Sequence, residues 1–240
     1  MAAATEERCF DEPRFRLAGD TGLLMEFGDV IAPVVGARVR AMAGALERRM
    51  PAGVREVIPT YRSVILIYDP MATCPDELRP ALIEMDRALS EAPEETPRTV
   101  EIPVCYGGEY GPDIAFVAES HGLAEEEVIR IHSETAYPVY MIGFTPGFPY
   151  LGGLSEKLHT PRLSSPRLKV PAGSVGIANN QTGIYPIESP GGWQLIGRSP
   201  VRLFAPEKDE PFLLRAGDRL KFTPVSEAEF KRIEKEGPAS

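Results

Sequence analysis

GFTPGFPYLGGL, Gly143–Leu154, admits no long helix. An interior Pro costs a helix about 3 kcal/mol and a Gly about 1 kcal/mol, and this string interleaves both with aromatic residues. The same texture continues through TPRLSSPR, Thr160–Arg167, and VPAGSVGIANNQTGIYPIESPGGWQLIGRSP, Val170–Pro200. Residues 141–200 hold 10 of the 22 Gly and 8 of the 24 Pro in a quarter of the 240-residue chain. Over the whole chain these two residue types approach a fifth of all positions, against the roughly 12% of average usage. Because 43% of the chain is apolar, the composition is neither collagen-like nor that of a disordered polymer. Short strands joined by frequent turns are what remains, the pattern of a small β-barrel or sandwich.

Outward from this stretch the patterns become regular. On the N-terminal side, Phe15 and Leu17 lead through the turn cluster Gly19–Gly22 into Leu23–Phe27, which reads as a hairpin. Val35, Val39, Met42 and Leu46 step along one helix face from Pro33 to Met50, with Pro33 suited to an early helical position. Val54–Ile58 and Val64–Tyr68 are strand-like, and Leu78, Leu82, Met85 and Leu89 mark a second helix from about Pro75 to Glu91. The order ββαββα predicts two helices on one face of a mainly antiparallel sheet. Ala92–Arg98 reads as a proline-bracketed linker, so a boundary is expected between domains spanning 1–95 and 96–240. Beyond it, a strand at Val100–Val104, helices at Asp113–Ser120 and Glu125–Ser133, and a strand at Val139–Ile142 precede the punctuated region. Strands near Val201–Phe204, Phe212–Arg215 and Arg219–Phe222 and a helix over Glu227–Glu236 follow it.

The net charge of −9 argues against a general nucleic-acid binder. Residues 141–200 break the trend, with five cations (Lys157, Arg162, Arg167, Lys169, Arg198) against Glu156 and Glu188. The glycine-rich quarter is therefore a cationic island as well. Cys9, Cys74 and Cys105 form neither a disulfide framework nor a zinc site. The N-terminus lacks the features of a signal peptide and no apolar run is long enough to span a membrane. A cytoplasmic setting is expected.

No phosphate-binding G-x-x-x-x-G-K-[ST] loop, dinucleotide G-x-G-x-x-G, zinc-binding H-E-x-x-H or nucleophile-elbow G-x-S-x-G occurs. His121, His132 and His159 share no ligand spacing, so no metal site is expected. Cys105 follows a strand and could present a thiol, though burial would render it inert. What stands out is a set of aromatics, Phe144, Phe148, Tyr150, Tyr185 and the single tryptophan Trp193, scattered among glycines whose backbone permits close approach of a ligand. The set fits a barrel interior as well as a ligand site.

These strings, with EIPVCYGG at Glu101–Gly108, closely resemble the family of B-type 5-oxoprolinase subunits, also described as allophanate-hydrolase subunit 1 or sporulation-kinase-inhibitor-like. The resemblance is dense from Glu101 to Phe204 and looser over most of the chain, including Gly19-Asp20 and the Arg215–Asp218 turn. One departure is Ala124, where a capping Ser or Thr is usual, which weakens a helix start by ~1 kcal/mol. The resemblance implies an α+β architecture: an N-terminal sheet-plus-helices domain followed by a C-terminal cyclophilin-like β-barrel. It implies one component, inactive alone, of an enzyme that opens 5-oxo-L-proline to L-glutamate. The partners it implies are the A-type 5-oxoprolinase subunit, of the LamB/YcsF kind, and the C-type subunit, related to allophanate-hydrolase subunit 2. It implies that the assembled complex consumes ATP, with no cofactor assigned to this chain. Two alternatives stay open: inhibition of a sensor histidine kinase, and a part in an allophanate- or urea-processing enzyme.

Opening a lactam requires donors at a developing oxyanion, a base for water and a grip on the substrate carboxylate. Arg162, Arg167 and Arg198 are the candidates for anion binding, with Trp193 beside them as an aromatic wall. Gly147, Gly173, Gly191 and Gly192 are candidate backbone donors, and Gln181, Thr182 and Ser189 candidates to orient a small polar ligand. His132 is the candidate base. The region as a whole reads as the wall of a barrel pocket or as a partner interface.

Overall fold

In the computed structural model, which describes residues 9–90 and 97–236, the first hairpin joins β1 (Cys9–Ala18) to β2 (Gly22–Gly28). A sheet of order β1-β2-β4-β3 is completed by β3 (Val54–Pro59) and β4 (Ser63–Tyr68), all neighbours antiparallel. The helices α1 (Pro33–Arg48) and α2 (Pro75–Ser90) lie where the apolar spacing puts them. Val35, Val39, Met42 and Leu46 of α1 and Leu78 and Leu82 of α2 are buried, in one cluster with Leu23, Met25, Val64 and Leu66 of the sheet. The chain divides into two compact units after Thr96. Most of the expected linker, Ala92–Thr96, lies outside the described residues.

The second unit is built on a seven-stranded sheet of order β10-β9-β12-β5-β13-β6-β7. Its strands are β5 (Thr99–Tyr106), β6 (Ala136–Ile142), β7 (Pro149–Leu151), β9 (Ser174–Ala178), β10 (Gln181–Ile184), β12 (Gln194–Arg198) and β13 (Arg219–Pro224). The two end strands, β10 and β7, lie beside each other, so the sheet curls into a nearly closed barrel. A separate ribbon pairs β8 (Arg167–Val170) with β11 (Ser189–Gly191). Helices α3 (Ile114–His121), α4 (Glu125–Glu134) and α5 (Glu227–Glu236) complete the unit. Ile102, Val104, Val117, Val128, Tyr137, Val139, Ile177, Ile196 and Phe222 fill its core.

The Gly/Pro-rich quarter contains no strand longer than five residues apart from the end of β6. Its turns use the punctuation directly: Asn179, at φ +53°, starts the two-residue loop between β9 and β10, and asparagine tolerates that left-handed region better than most residues. Two expected strands are not regular strands. Val201–Phe204 and Phe212–Arg215 are reduced to one bridge, Phe204 to Phe212, because Pro200, Pro206 and Pro211 break the segment and supply no ladder donor. Helix α4 starts at Ala124 without a side-chain cap, and Glu125, Glu126 and Glu127 in its first turn complement the helix dipole instead. Among the described residues no helix is long and apolar enough to cross a membrane.

Candidate functional site

The aromatic residues scattered through the sequence converge. Phe148 is buried and makes edge contacts with Phe144, Tyr150, Tyr185 and Trp193, at ring-centroid separations of 5.4 to 5.8 Å. Tyr185 meets Trp193 edge-on at 6.2 Å. Glycine eases this contact: a Cβ on Gly183 would stand 3.1 Å from both Phe148 and Trp193, which would have to shift by a few tenths of an ångström. On β11, a Cβ on Gly191 would overlap the Tyr185 hydroxyl. Gly191→Ala should therefore displace Tyr185 and cost about 1–3 kcal/mol, read as a lower urea midpoint with a shift in the emission of Trp193.

Arg162 is set over this cluster by hydrogen bonds on either side of it. Gln194 donates to the Pro161 carbonyl at 2.9 Å, and the Leu163 N–H donates to the Gly192 carbonyl at 2.8 Å. The guanidinium carbon consequently stands 6.0 Å from the centre of the Trp193 ring, within cation–π range. Burial pushes the Tyr185 phenol above its usual range, while Arg162 and Arg167 pull it back. At neutral pH it is thus an uncharged donor. Ser189 Oγ is buried without a hydrogen-bond partner on the same strand as Gly191.

The other candidates are distributed differently. Arg167 sits next to the cluster but is committed: it donates to both Asp113 carboxylate oxygens, at 2.7 and 2.8 Å, and to the Trp193 carbonyl. Asp113 Oδ2 also accepts the Leu195 N–H at 2.6 Å, tying the start of α3 to β12 and β8. Lys169 pairs with Glu188 across the ribbon. Two of the five cations of the island, Arg167 and Lys169, are thus neutralised, and Arg162 is the cation that stands over the cluster. Arg198 ends β12, where Nε donates to the Ala172 carbonyl, roughly 16 Å along the strand from Trp193 at about 3.3 Å per residue. Gly173, at φ +81°, uses its N–H on the Tyr185 carbonyl and is no free donor. Gly147, at φ +87°, lets the turn beside Phe148 approach Phe204 and Pro186. Gln181 opens β10, opposite Ala178. A cavity of about 430 Å³ in this unit lies elsewhere, lined by Ile142, Phe212, Leu214 and Arg215 among others.

His132 and Thr182 belong to the core. His132 is fully buried, stacked on Phe222 at 4.7 Å, and desolvation pushes its pKa down to about 3. Its Nδ1 lies 2.8 Å from the Tyr106 hydroxyl and its Nε2 2.8 Å from Thr182 Oγ1. Thr182 donates to the Gly176 carbonyl, which leaves its oxygen to accept from Nε2–H. Tyr106 then donates to Nδ1, so every member has one role. This arrangement orients α4 on β5 and β10, and no solvent reaches the imidazole. A general base for water, as expected from the sequence, needs access that the structure does not give His132. Asp113 and Tyr106 were not legible as site-supporting residues, because their partners lie 54 and 26 positions away.

Residues 13–214 match the family described as the carboxyltransferase domain, subdomain C and D. The B-type 5-oxoprolinase subunit of Bacillus subtilis (strain 168) is 44% identical over 232 residues, covering 91% of this chain and 95% of that protein. The chain belongs to the family of B-type 5-oxoprolinase subunits. A second member of this family, from Escherichia coli O157:H7, is 45% identical over 217 residues, covering 89% of this chain and 97% of its own length. The crystal structure of TTHA0988 superposes with a TM-score of 0.74 at 40% identity, over 89% of this chain. This chain spans 40% of the length of that protein, so the same fold also occurs within a longer polypeptide. Among the described residues, no group of three or more His, Cys, Asp or Glu is arranged to hold a metal ion.

Proposed function

We propose that this chain is a non-autonomous component of an ATP-dependent 5-oxoprolinase, opening 5-oxo-L-proline to L-glutamate together with an A-type partner of the LamB/YcsF kind and a C-type partner. The observation that carries this reading is identity of 44–45% with proteins named as the B-type 5-oxoprolinase subunit, over 95–97% of their lengths. The proposed setting is the cytoplasm, and the proposed domains are 1–95 and 96–240, the second a cyclophilin-like barrel. The division into compact units after Thr96 supports that boundary.

The chemistry fits a protein that does not act alone. A lactam carbonyl is a poor electrophile, and phosphorylation of its oxygen at the expense of ATP supplies a leaving group. Such a reaction needs a phosphate site, a base and a substrate grip. The sequence has no Walker-type phosphate loop, and its one core histidine is held neutral and dry. The aromatic cluster under the exposed Arg162 is suited to the third task, with Ser189, Trp193, Gly191 and Gly192 around it. Co-expression with the A-type and C-type partners, followed by measurement of 5-oxoproline-dependent ADP release, tests the reading. Release that requires all three chains is the expected result. Its absence, with tight binding of this chain to a histidine kinase, would favour the regulatory role. Turnover of allophanate or urea instead would favour the third.

A further inference from the structure

We infer that the exposed Arg162 and half-buried Trp193, backed by the buried Tyr185 and Ser189 hydroxyls, form a carboxylate-recognition site for a small flat ring acid. This rests on the proposed 5-oxoprolinase role only for the identity of the ligand. The site itself is argued from unmet hydrogen-bonding capacity. Of the three arginines in the Gly/Pro-rich quarter, Arg167 is bound to Asp113 and Arg198 to a backbone carbonyl. Among the described residues the Arg162 guanidinium has no hydrogen-bonding or ion-pair partner, and its contact is the face of Trp193. The Tyr185 hydroxyl, brought against Gly191 by the absence of a Cβ there, likewise has no hydrogen-bond partner among the described residues. Ser189 Oγ is buried with none.

All three groups can donate, and the nearby Asp113 and Glu188 carboxylates are held by Arg167 and Lys169. A buried hydroxyl left without a partner costs about 1–3 kcal/mol, a cost that a bound acceptor would remove. A guanidinium with no carboxylate partner, beside hydroxyls that can donate, favours an anion. Arg162 offers a planar fork matched to a carboxylate, and the half-buried Trp193 ring beneath it suits a flat, weakly polar ring. A carboxylate on a five-membered lactam has both parts. Arg162 is exposed, so a carboxylate meets the guanidinium from solvent.

Trp193 is the chain's single tryptophan, so its fluorescence reports the site in the full-length chain without turnover. Titration with 5-oxo-L-proline should give a saturable change. 2-Pyrrolidinone, the same lactam without the carboxylate, should need at least tenfold higher concentration. Arg162→Gln should weaken the response at least tenfold and raise the KM of the three-chain complex for 5-oxo-L-proline by a similar factor. Arg162→Lys should recover part of it, and Tyr185→Phe and Ser189→Ala should each weaken binding about threefold or more. Arg162 lies on the surface, and circular dichroism spectra that overlay wild type verify the fold. A complex that turns over 5-oxo-L-proline with KM unchanged in Arg162→Gln overturns the carboxylate site and leaves the enzymatic reading intact. A Trp193 response that requires Arg162, in a complex that opens no 5-oxo-L-proline, upholds the site and overturns the enzymatic reading. Equal responses to 5-oxo-L-proline and 2-pyrrolidinone also overturn the carboxylate site.

Discussion

Lowering the pH from 7 to 4 should cost this protein about 3 kcal/mol through His132 alone. Desolvation holds the folded-state pKa of this imidazole at about 3, against about 6.5 in an unfolded chain. Its contribution to stability is complete above pH 6.5. As pH falls below that value the unfolded chain takes up a proton that the folded core excludes, so stability declines down to about pH 3. The depressed value reflects the fully buried ring between Phe222, Tyr106 and Tyr137. Urea unfolding of wild type and His132→Gln at pH 7 and pH 4 isolates the effect. The variant should be less stable at pH 7, since Tyr106 and Thr182 lose partners, and the gap should narrow by about 3 kcal/mol at pH 4. A gap that does not change with pH would show that the imidazole is not held neutral.

Asp113→Ala should destabilise the C-terminal unit by about 3 kcal/mol, because it strands both the Arg167 charge and the Leu195 N–H. Only 14% of the Asp113 side chain and 29% of the Arg167 side chain are exposed, so solvent screens the pair weakly. Arg167→Ala should cost less, since the carboxylate keeps the backbone donor. In a double-mutant cycle on urea midpoints the two changes should be non-additive by at least about 1.5 kcal/mol. Additivity would mean that Arg167 is not committed to Asp113 and remains available to a ligand.

Local chemistry made much of the fold legible. Val35, Val39, Met42 and Leu46 announce α1 because helix periodicity depends on neighbours three and four positions away. The hairpin at Gly19–Gly22 declares itself for the same reason. The ribbon of β8 and β11 could not be read this way: Arg167-Leu168-Lys169-Val170 alternates over only four positions, and its pairing with Ser189-Pro190-Gly191 is supported by the Tyr185–Gly191 contact and by Asp113. The site divides likewise. Residue type marked Arg162, Trp193, Ser189 and Gly191 as candidates and the structure gathers them. The same reasoning marked Arg167, Arg198, Thr182 and His132, whose roles depend on partners supplied by distant segments. Charge in the sequence overstates charge at the site, because Asp113 and Glu188 neutralise two of the cations where they fold.

A lactam-opening enzyme of which this chain is an essential component should not turn over without it. The most direct measurement is L-glutamate formation from 5-oxo-L-proline and ATP by this chain purified with its A-type and C-type partners, each omitted in turn. Glutamate formed with all three chains, and lost when this one is left out, is the predicted result. Full activity from the two partners without this chain, or no glutamate from the assembled three, would contradict it.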